Sequence, residues 1–504
     1  MKTEVISIKE LLNIVTKKDE QIVELKKQNQ YLQEKLDYLI RQKFTSKSEK
    51  INDNQPSLFD DTEEEVEVVE DEEIKIEFTR KKGGKRKPSK DLPRIRVEHD
   101  IDEADKVCSC GCQMHVIKEI VSEQYDVVPA KFQIIENVRF VYGCRCGEKP
   151  KTTPLTPFIL PKHQVTASFL ATVAVQKFED ALPLYRQAKI FKNRFGMPFT
   201  DTTLSNWMIK GSEKLEPFVD LLKDKLLENE YIQADETTLQ VLKEPNRKAK
   251  QKSYIWLGVG MDKYKVVYMH YANNRSGETA SNLFGGFDGY LQTDGYNGYN
   301  PVVKAENITQ LGCWAHARRK FADILKSGKS DEESKELANE ATILIRKLYK
   351  VEKTIKDKPP DEKLLIRKEK SEPVINNIRE WLDGNFFKAQ KHEGAIAKAF
   401  VYLNNQFAKL SVYITDGRLN IDNNRAENHV RPIALGRKNW LFATSVKGAK
   451  AIASWYSIIE TAKANGVEPY FYLKYLLTEF PIYRSEGKDI EELLPWNLDK
   501  DILA

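Results

Sequence analysis

Two kinds of side chain in this 504-residue sequence could do chemistry, and they ask for different cations. The first kind is a set of carboxylates beside short apolar runs: Asp235 in ADETTLQV, Asp294 in GYLQTDGYNGY and Glu427 in DNNRAENHV. Carboxylate oxygens suit a hard divalent cation. A lone aspartate does not make a site, and Asp294-Gly295 is also an ordinary turn signal. The second kind is a pair of cysteine clusters, Cys108, Cys110 and Cys112, then Cys144 and Cys146, with Cys313 standing alone. Clustered thiolates in a reducing compartment suit tetrahedral zinc rather than disulfides. The C-x-C spacings are tighter than C-x2-C, so which four of the five bind stays open, and His115 could replace one.

Something must bring the carboxylates together. Asp235 lies in NEYIQADETTLQVL, and behind it come SYIWLGVGMD and KYKVVYMHYA, three strand-like runs that read as an antiparallel meander. ETASNLFGGF reads as a short helix, and GYLQTD as a fourth strand that ends on Asp294. In the ribonuclease H-like fold the first and fourth strands are neighbours, so both aspartates could reach one cation. ITQLGCWAHARRKFADIL is a fifth strand entering a basic helix, with His316 near Arg318, Arg319 and Lys320. Residues 325–411 read as helical and charged, without a motif. Glu427 then opens a helix, flanked by Arg425, Arg431, Arg437 and Lys438, and would supply the third carboxylate. The rivals are weaker. Glu236 should face away from Asp235 by strand alternation. Asp288 precedes the fourth strand, and Asp416 and Asp422 sit in a turn-rich loop suited to solvated or capping residues.

The N-terminal third organises the rest. Ile8, Val15, Ile22, Asn29 and Leu36 form one seam of a heptad, and Leu11, Lys18, Leu25, Leu32 and Leu39 the other, as in a dimeric coiled coil. An acidic block (DDTEEEVEVVEDEEIKIE) and a basic block (RKKGGKRKPSK) follow, a composition that seldom folds. EQYDVVPAKFQIIENVRFVYG, between the cysteine clusters, reads as two strands of a zinc-ribbon-like unit. SFLATVAVQKFEDALPLYRQAKIFKNRF is helical, is broken at Gly196–Pro198, and resumes with Thr200 or Asp201 as cap. As a helix-turn-helix, the second helix would present Thr202, Thr203, Ser205, Asn206 and Lys210 to DNA; as a plain helical hairpin it would bury Trp207. No run of about 18 apolar residues and no apolar N-terminal leader occurs, so the expectation is a cytoplasmic protein without a membrane partner. The net charge of +5 is small against 80 basic and 75 acidic side chains, so the distribution of charge says more than its total.

The strings ADETTLQV, LQTDGYNGY, GCWAHARRKF and DNNRAENHVRPIALGRKNWLFA, in that order, resemble the transposase family of insertion sequence 66. IRQKFTSKSEK near the N-terminus and LLPWNL near the C-terminus fit the same resemblance. The cysteine region departs from the family's usual CxxCG, reading CSCGC and CRCG. The resemblance implies a multidomain α+β protein. Its parts are a coiled coil (1–45), a charged disordered linker (46–95), a small zinc-binding β unit (96–160) and a helical, helix-turn-helix-like DNA-binding region (161–228). A ribonuclease H-like α/β catalytic core (229–325 and 412–480) follows, interrupted by a helical insertion (326–411), and a tail (481–504) closes the chain. The resemblance places the catalytic Asp-Asp-Glu set on Asp235, Asp294 and Glu427, holding two Mg²⁺ or Mn²⁺ ions, with one structural zinc elsewhere. DNA contacts would come from the helix-turn-helix and from Arg318, Arg319, Arg425, Arg431, Arg437 and Lys438. Expected partners are transposon terminal repeats, target DNA, a second copy of the chain or more, and small accessory proteins of the same element. Two other readings stand beside this one: a DNA-binding regulator with an inert core, and a nuclease that cuts without joining.

Overall fold

The computed structural model describes residues 131–499, except 143–148, 150, 153, 155, 162, 164, 328, 329 and 393. The heptad, the charged linker and the five clustered cysteines lie outside the described residues. In the cysteine region two short strands, β1 (Val141–Tyr142) and β2 (Lys151–Thr152), pair antiparallel. Of the segment expected to form two strands between the clusters, residues 123–130 lie outside the described residues, and the described remainder forms strand only at β1. Residues 131–140 have no regular structure, and β1 pairs with residues beyond the second cluster. Phe132 leaves this segment to pack on Phe169, Phe191 and Phe195 of the helical region.

That region holds four helices rather than two continuous runs: α1 (Ala167–Phe178), α2 (Leu184–Phe195), α3 (Asp201–Lys214) and α4 (Glu216–Leu227). The breaks follow local chemistry. Ala181 takes a positive φ of 54°, and Pro183 before α2 disfavours helix at Leu182, the residue ahead of it. Gly196, at φ 67°, ends α2. Of the two cap candidates it is Thr200 whose side chain accepts from the Thr203 amide and starts α3. Trp207 is buried on this helix against Phe169 and Phe199.

The meander follows: β3 (Tyr231–Lys243), β4 (Lys252–Gly260) and β5 (Val267–Ala272), each pair antiparallel. After α5 (Gly277–Phe284), strand β6 (Gly289–Gln292) pairs parallel with β3. After α6 (Asn300–Ala305), β7 (Ile308–Leu311) pairs parallel with β6. The order is β5-β4-β3-β6-β7, with β8 (Ala443–Ser445) joined to the far end of β3. The first and fourth strands are therefore neighbours.

Five helices follow: α7 (Trp314–Lys326), α8 (Glu332–Ile355), α9 (Pro360–Ile366), α10 (Glu372–Lys391) and α11 (Ala395–Ser411). They share a second apolar core around Trp314, Phe321, Ile345, Leu382 and Phe400. A π-helical turn, Arg367–Ser371, links α9 to α10 and buries Arg367. Its guanidinium is fully engaged: both Glu352 carboxylate oxygens accept from it, at 2.9 and 2.7 Å, and so do the Tyr413 and Asp416 carbonyls.

The chain then returns to the sheet through α12 (Asn424–Trp440), α13 (Val446–Ala464) and α14 (Pro469–Glu486). Helix α13 runs along β5, the edge strand. Ser457 Oγ accepts from the Met269 amide and Thr461 Oγ1 from the Val267 amide, covering backbone groups that an edge leaves bare. The tail expected from residue 481 is instead continuous with the fold. Helix α14 runs through Pro481, Leu493 and Leu494 are buried, and Tyr472 Oη donates to the Leu493 carbonyl.

Candidate carboxylate site

Strand β3 presents Tyr231, Gln233 and Asp235 on one face, since alternate residues of a strand point the same way. The first two are polar and buried, which is costly unless every donor and acceptor is matched. They are matched across three segments. Tyr231 Oη donates to Gln292 Oε1 on β6, and Gln233 Nε2 donates to the same oxygen at 2.9 Å and to the Asp422 carbonyl at 3.0 Å. Gln292 Nε2 in turn donates to the Gly312 and Asn420 carbonyls. Gln233 Oε1 accepts from the Ala426 amide, so a strand residue satisfies a free N–H in the first turn of α12. Glu427 is the next residue. This amide ladder sets the start of α12 over the face that carries Asp235.

Asp294 lies two residues past β6, in a turn. Its Oδ1 accepts from the Tyr296 amide at 2.8 Å, and Gly295 takes φ 88°. Two residues of α11 hold this turn from the insertion side. Tyr402 Oη donates to the Asp294 carbonyl at 2.7 Å, and Gln406 Nε2 reaches the Gly295 carbonyl at 3.5 Å. A Cβ at position 295 would stand 2.9 Å from Gln406 Cδ, so glycine also permits this close approach.

The electrostatics are lopsided. Asp235 is pushed well above the usual carboxylate range, first by burial, then by the charges of Glu236, Asp294 and Glu427. Asp235 therefore feels the charge of all three neighbours, Asp294 and Glu427 among them. Glu236 faces the other way, as strand alternation requires, yet it is not idle. It accepts from Arg275 Nε at 2.6 Å and from Tyr299 Oη at 2.5 Å. The same guanidinium lies 3.7 Å from Asp294 and stacks 3.6 Å from the centre of the Tyr296 ring. Burial and Asp294 raise the Glu236 carboxyl as well, against the pull of Tyr299 and Arg275.

Helix α7 closes the third side. Glu427 lies 3.6 Å from His316 Nδ1 and 3.6 Å from Arg319 Nη2. Donor atoms of Cys313, His316 and Glu427 all fall within 4.8 Å of one another. Burial pushes the Cys313 thiol up, which leaves it protonated and a poor metal ligand. Burial, with Arg319 and Lys320, pushes His316 down to about 4 against the pull of Asp294, so its imidazole is neutral at pH 7.

The remaining candidates scatter. Arg318 and Arg319 are half-buried on α7, Arg425 is exposed, and Arg431 is half-buried on α12. Arg437 is not beside Glu427. Ten residues along α12, about 15 Å at 1.5 Å per residue, it donates to Thr238 Oγ1 at 2.7 Å, and Lys438 next to it is exposed. On α3, Thr202, Asn206 and Lys210 are exposed while Thr203 and Ser205 are half-buried; Lys210 Nζ lies 3.1 Å from His163 Nε2. Asp288 bonds Asn307 ahead of β6, at the end of that strand opposite Asp294. Asp422 accepts from the Asn424 amide and from Tyr349 Oη, as a capping residue does. Sequence reasoning weighed Glu236 only as a rival to Asp235, and passed over Tyr402 and Gln406. The short separation of Glu236 from Asp235 was the only hint.

Comparison with known proteins identifies the family. Residues 162–451 match the family model described as Transposase IS66 family, and 457–496 match the IS66 C-terminal element. Residues 105–147, which span both cysteine clusters, match the zinc-finger binding domain of transposase IS66. Residues 31–97 match a model described as Transposase C of IS166 homeodomain. Among curated relatives, the uncharacterized protein y4qI of Sinorhizobium fredii is 31% identical over 477 residues, covering 90% of this chain and 85% of that protein. The uncharacterized protein y4hP of the same organism is 31% identical over 444 residues, covering 83% and 78%. No helix among the described residues is long and apolar enough to cross a membrane. With a family model matched across more than half its length, from the four helices to the start of α13, the chain belongs to the IS66 transposase family.

Proposed function

We propose that the chain is a transposase of the Asp-Asp-Glu type, built on a ribonuclease H-like core, that cleaves transposon ends and joins them to target DNA. The observation that carries this reading is the strained negative cluster. Asp235 sits where burial and three neighbouring carboxylates disfavour its charge, a cost that divalent cations among the same oxygens would reverse. Asp235, Asp294 and Glu427 offer the hard oxygen donors that Mg²⁺ or Mn²⁺ takes. Two such ions, when bound, would polarise the scissile phosphate and lower the pKa of the attacking water or 3′-hydroxyl.

The chain's own residues do the rest. Arg275 ties Glu236 to the Asp294 turn and holds that turn against Tyr296. Arg319 beside Glu427 offers a cation to the phosphate backbone. Neutral His316, 3.6 Å from Glu427, adds no charge beside it. The cysteine region would hold one structural zinc, helix α3 would meet the terminal repeats, and the heptad would join two copies of the chain.

The test is a cleavage and joining assay on labelled element ends, with Mg²⁺, with and without accessory proteins of the same element. Metal-dependent nicking followed by strand transfer supports the proposal. Nicking without joining leaves a nuclease, and tight end binding without either leaves the regulator.

A further inference from the structure

Helix α12 ends in an unusual way. Leu441 has φ 62° and ψ −51°, and the Phe442 amide donates to the Trp440 carbonyl at 2.8 Å. A bond from residue i+2 back to i around such a centre is a γ-turn of the rare, strained hand. Backbone of this kind costs about 1–3 kcal/mol, and glycine would relieve it. Instead the position holds a leucine that is 64% exposed, followed by a phenylalanine that is 39% exposed. The turn is held in place immediately afterwards, because Ala443 pairs with Val241 and Ser445 with Lys243 at the far end of β3. An apolar tip on a strained, firmly anchored turn is displayed rather than buried.

Its surroundings are basic. Leu441 lines a cavity of about 470 Å³ together with Thr238, Gln240, Lys250, Lys252 and Arg437. The β3–β4 hairpin that supplies both lysines also carries Lys243, Arg247 and Lys248. Its glutamate, Glu244, is buried and occupied by Arg247, Ser253 and Tyr271.

We propose that Leu441 and Phe442 form a wedge that enters a base step of bound duplex DNA, while Lys250 and Lys252 hold the phosphates beside it. The proposal rests on the transposase reading and adds a contact to it. Leucine and phenylalanine are side chains that unstack base steps, and flanking cations neutralise the backbone that the kink compresses. Charge complementarity selects a polyanion over an apolar protein partner. The spacing also fits. Fourteen residues of α12 separate Glu427 from Leu441, about 21 Å at 1.5 Å per residue, or roughly six base steps of 3.4 Å. The wedge would open the duplex about that far from the scissile phosphate.

The experiment uses the full chain in Ca²⁺ on duplexes of the element's own terminal repeat, with 2-aminopurine scanned around that position. Wild type should give a fluorescence rise at one step. Leu441→Gly, which suits the backbone, should lose the rise while its affinity changes by less than about threefold and its melting temperature holds or increases. In Mg²⁺, nicking by this variant should fall on perfect duplex and recover when that step is replaced by a mismatch. Lys250→Gln with Lys252→Gln should lower the log–log salt slope of binding by about 2. Wild-type nicking with no unstacked step, a Leu441→Gly signal equal to wild type, or a defect that no mismatch rescues would each overturn the wedge. A wild type that neither binds nor nicks its end would defeat the transposase reading itself, and the wedge with it.

Discussion

The carboxylate site and the Arg367 node both bury charge, and they do so in opposite ways. At Arg367 the guanidinium meets a bidentate carboxylate and two carbonyls. The ion pair is matched, and neither partner asks for anything further. Around Asp235 like charges are gathered, and Asp235 is raised out of its usual range first by burial and then by those neighbours. Two buried charge clusters in one chain can therefore mean different things. A matched set holds helices together, whereas a buried carboxylate crowded by three others is kept at a cost, even with Arg275 and Arg319 nearby, and would gain from a cation supplied from outside.

Neutralising the crowded carboxylates should have the largest effect. Asp294→Asn, Asp235→Asn and Glu427→Gln should each cut nicking and joining by roughly 1,000-fold or more, the loss of several kcal/mol of transition-state stabilisation. The folded state should survive, because removing a charge from a repelling cluster relieves it. A variant that keeps near-wild-type cleavage would remove its residue from the site.

Breaking the matched set should do the reverse. Arg367→Met leaves Glu352 buried without its partner and should cost about 3–5 kcal/mol of stability. Denaturant unfolding measures this, while turnover per folded molecule stays close to wild type. A loss below 1 kcal/mol would mean that the node is not the matched pair its geometry indicates.

The pH dependence of metal-free protein separates the two clusters more finely. The Asp235 carboxyl is raised in the folded state, so the native protein binds a proton more tightly than the unfolded chain. Stability from this group is full below the ordinary value of 3.8 and is lost as pH rises through the folded value. Metal-free protein should therefore melt at a lower temperature at pH 7 than in mild acid, and Mg²⁺ should restore the difference at pH 7. Asp235→Asn should flatten both responses; an equal Mg²⁺ effect in that variant would place the cation elsewhere.

The smallest effects belong to the rivals. Glu236→Gln weakens the anchor of Arg275 and should slow cleavage by roughly 10- to 100-fold, the worth of one charge-assisted hydrogen bond at 1.5–3 kcal/mol. Asp288→Asn, at the opposite end of β6, should be indistinguishable from wild type in the same assay. A larger effect at Asp288 than at Asp294 would mean that the wrong end of the strand has been chosen.

The sequence exposed the strand residues of the site because strands follow from local patterns. These gave three β runs, a short helix and a fourth β run, and only the analogy with the ribonuclease H-like fold set the first beside the fourth, as β3 and β6 are. The sequence could not expose what crosses large separations. Tyr402 reaches the Asp294 turn from 108 residues away, and Gln233 reaches the α12 amide of Ala426 from 193. Nothing local distinguishes these from other tyrosines and glutamines. The helical run from 168 to 195 looked continuous because its period persists, and only Pro183, at the start of α2, marks the break. Arg437 looked like a neighbour of Glu427 because both lie on one helix, yet helical rise carries it well away.

One feature of the sheet bears on how copies of the chain can meet. Strand β5 ends the sheet, and a bare edge is a template on which another chain can add a strand. Here two hydroxyls one helical turn apart, Ser457 and Thr461, occupy the Val267 and Met269 amides and also reach their carbonyls. The seal depends on two small side chains rather than on a further strand. Replacing them with alanine and valine would keep the packing of α13 yet leave those amides unanswered. Each unmet buried amide would cost about 1–3 kcal/mol, so α13 would lift more readily and bare an edge on which another chain could add a strand.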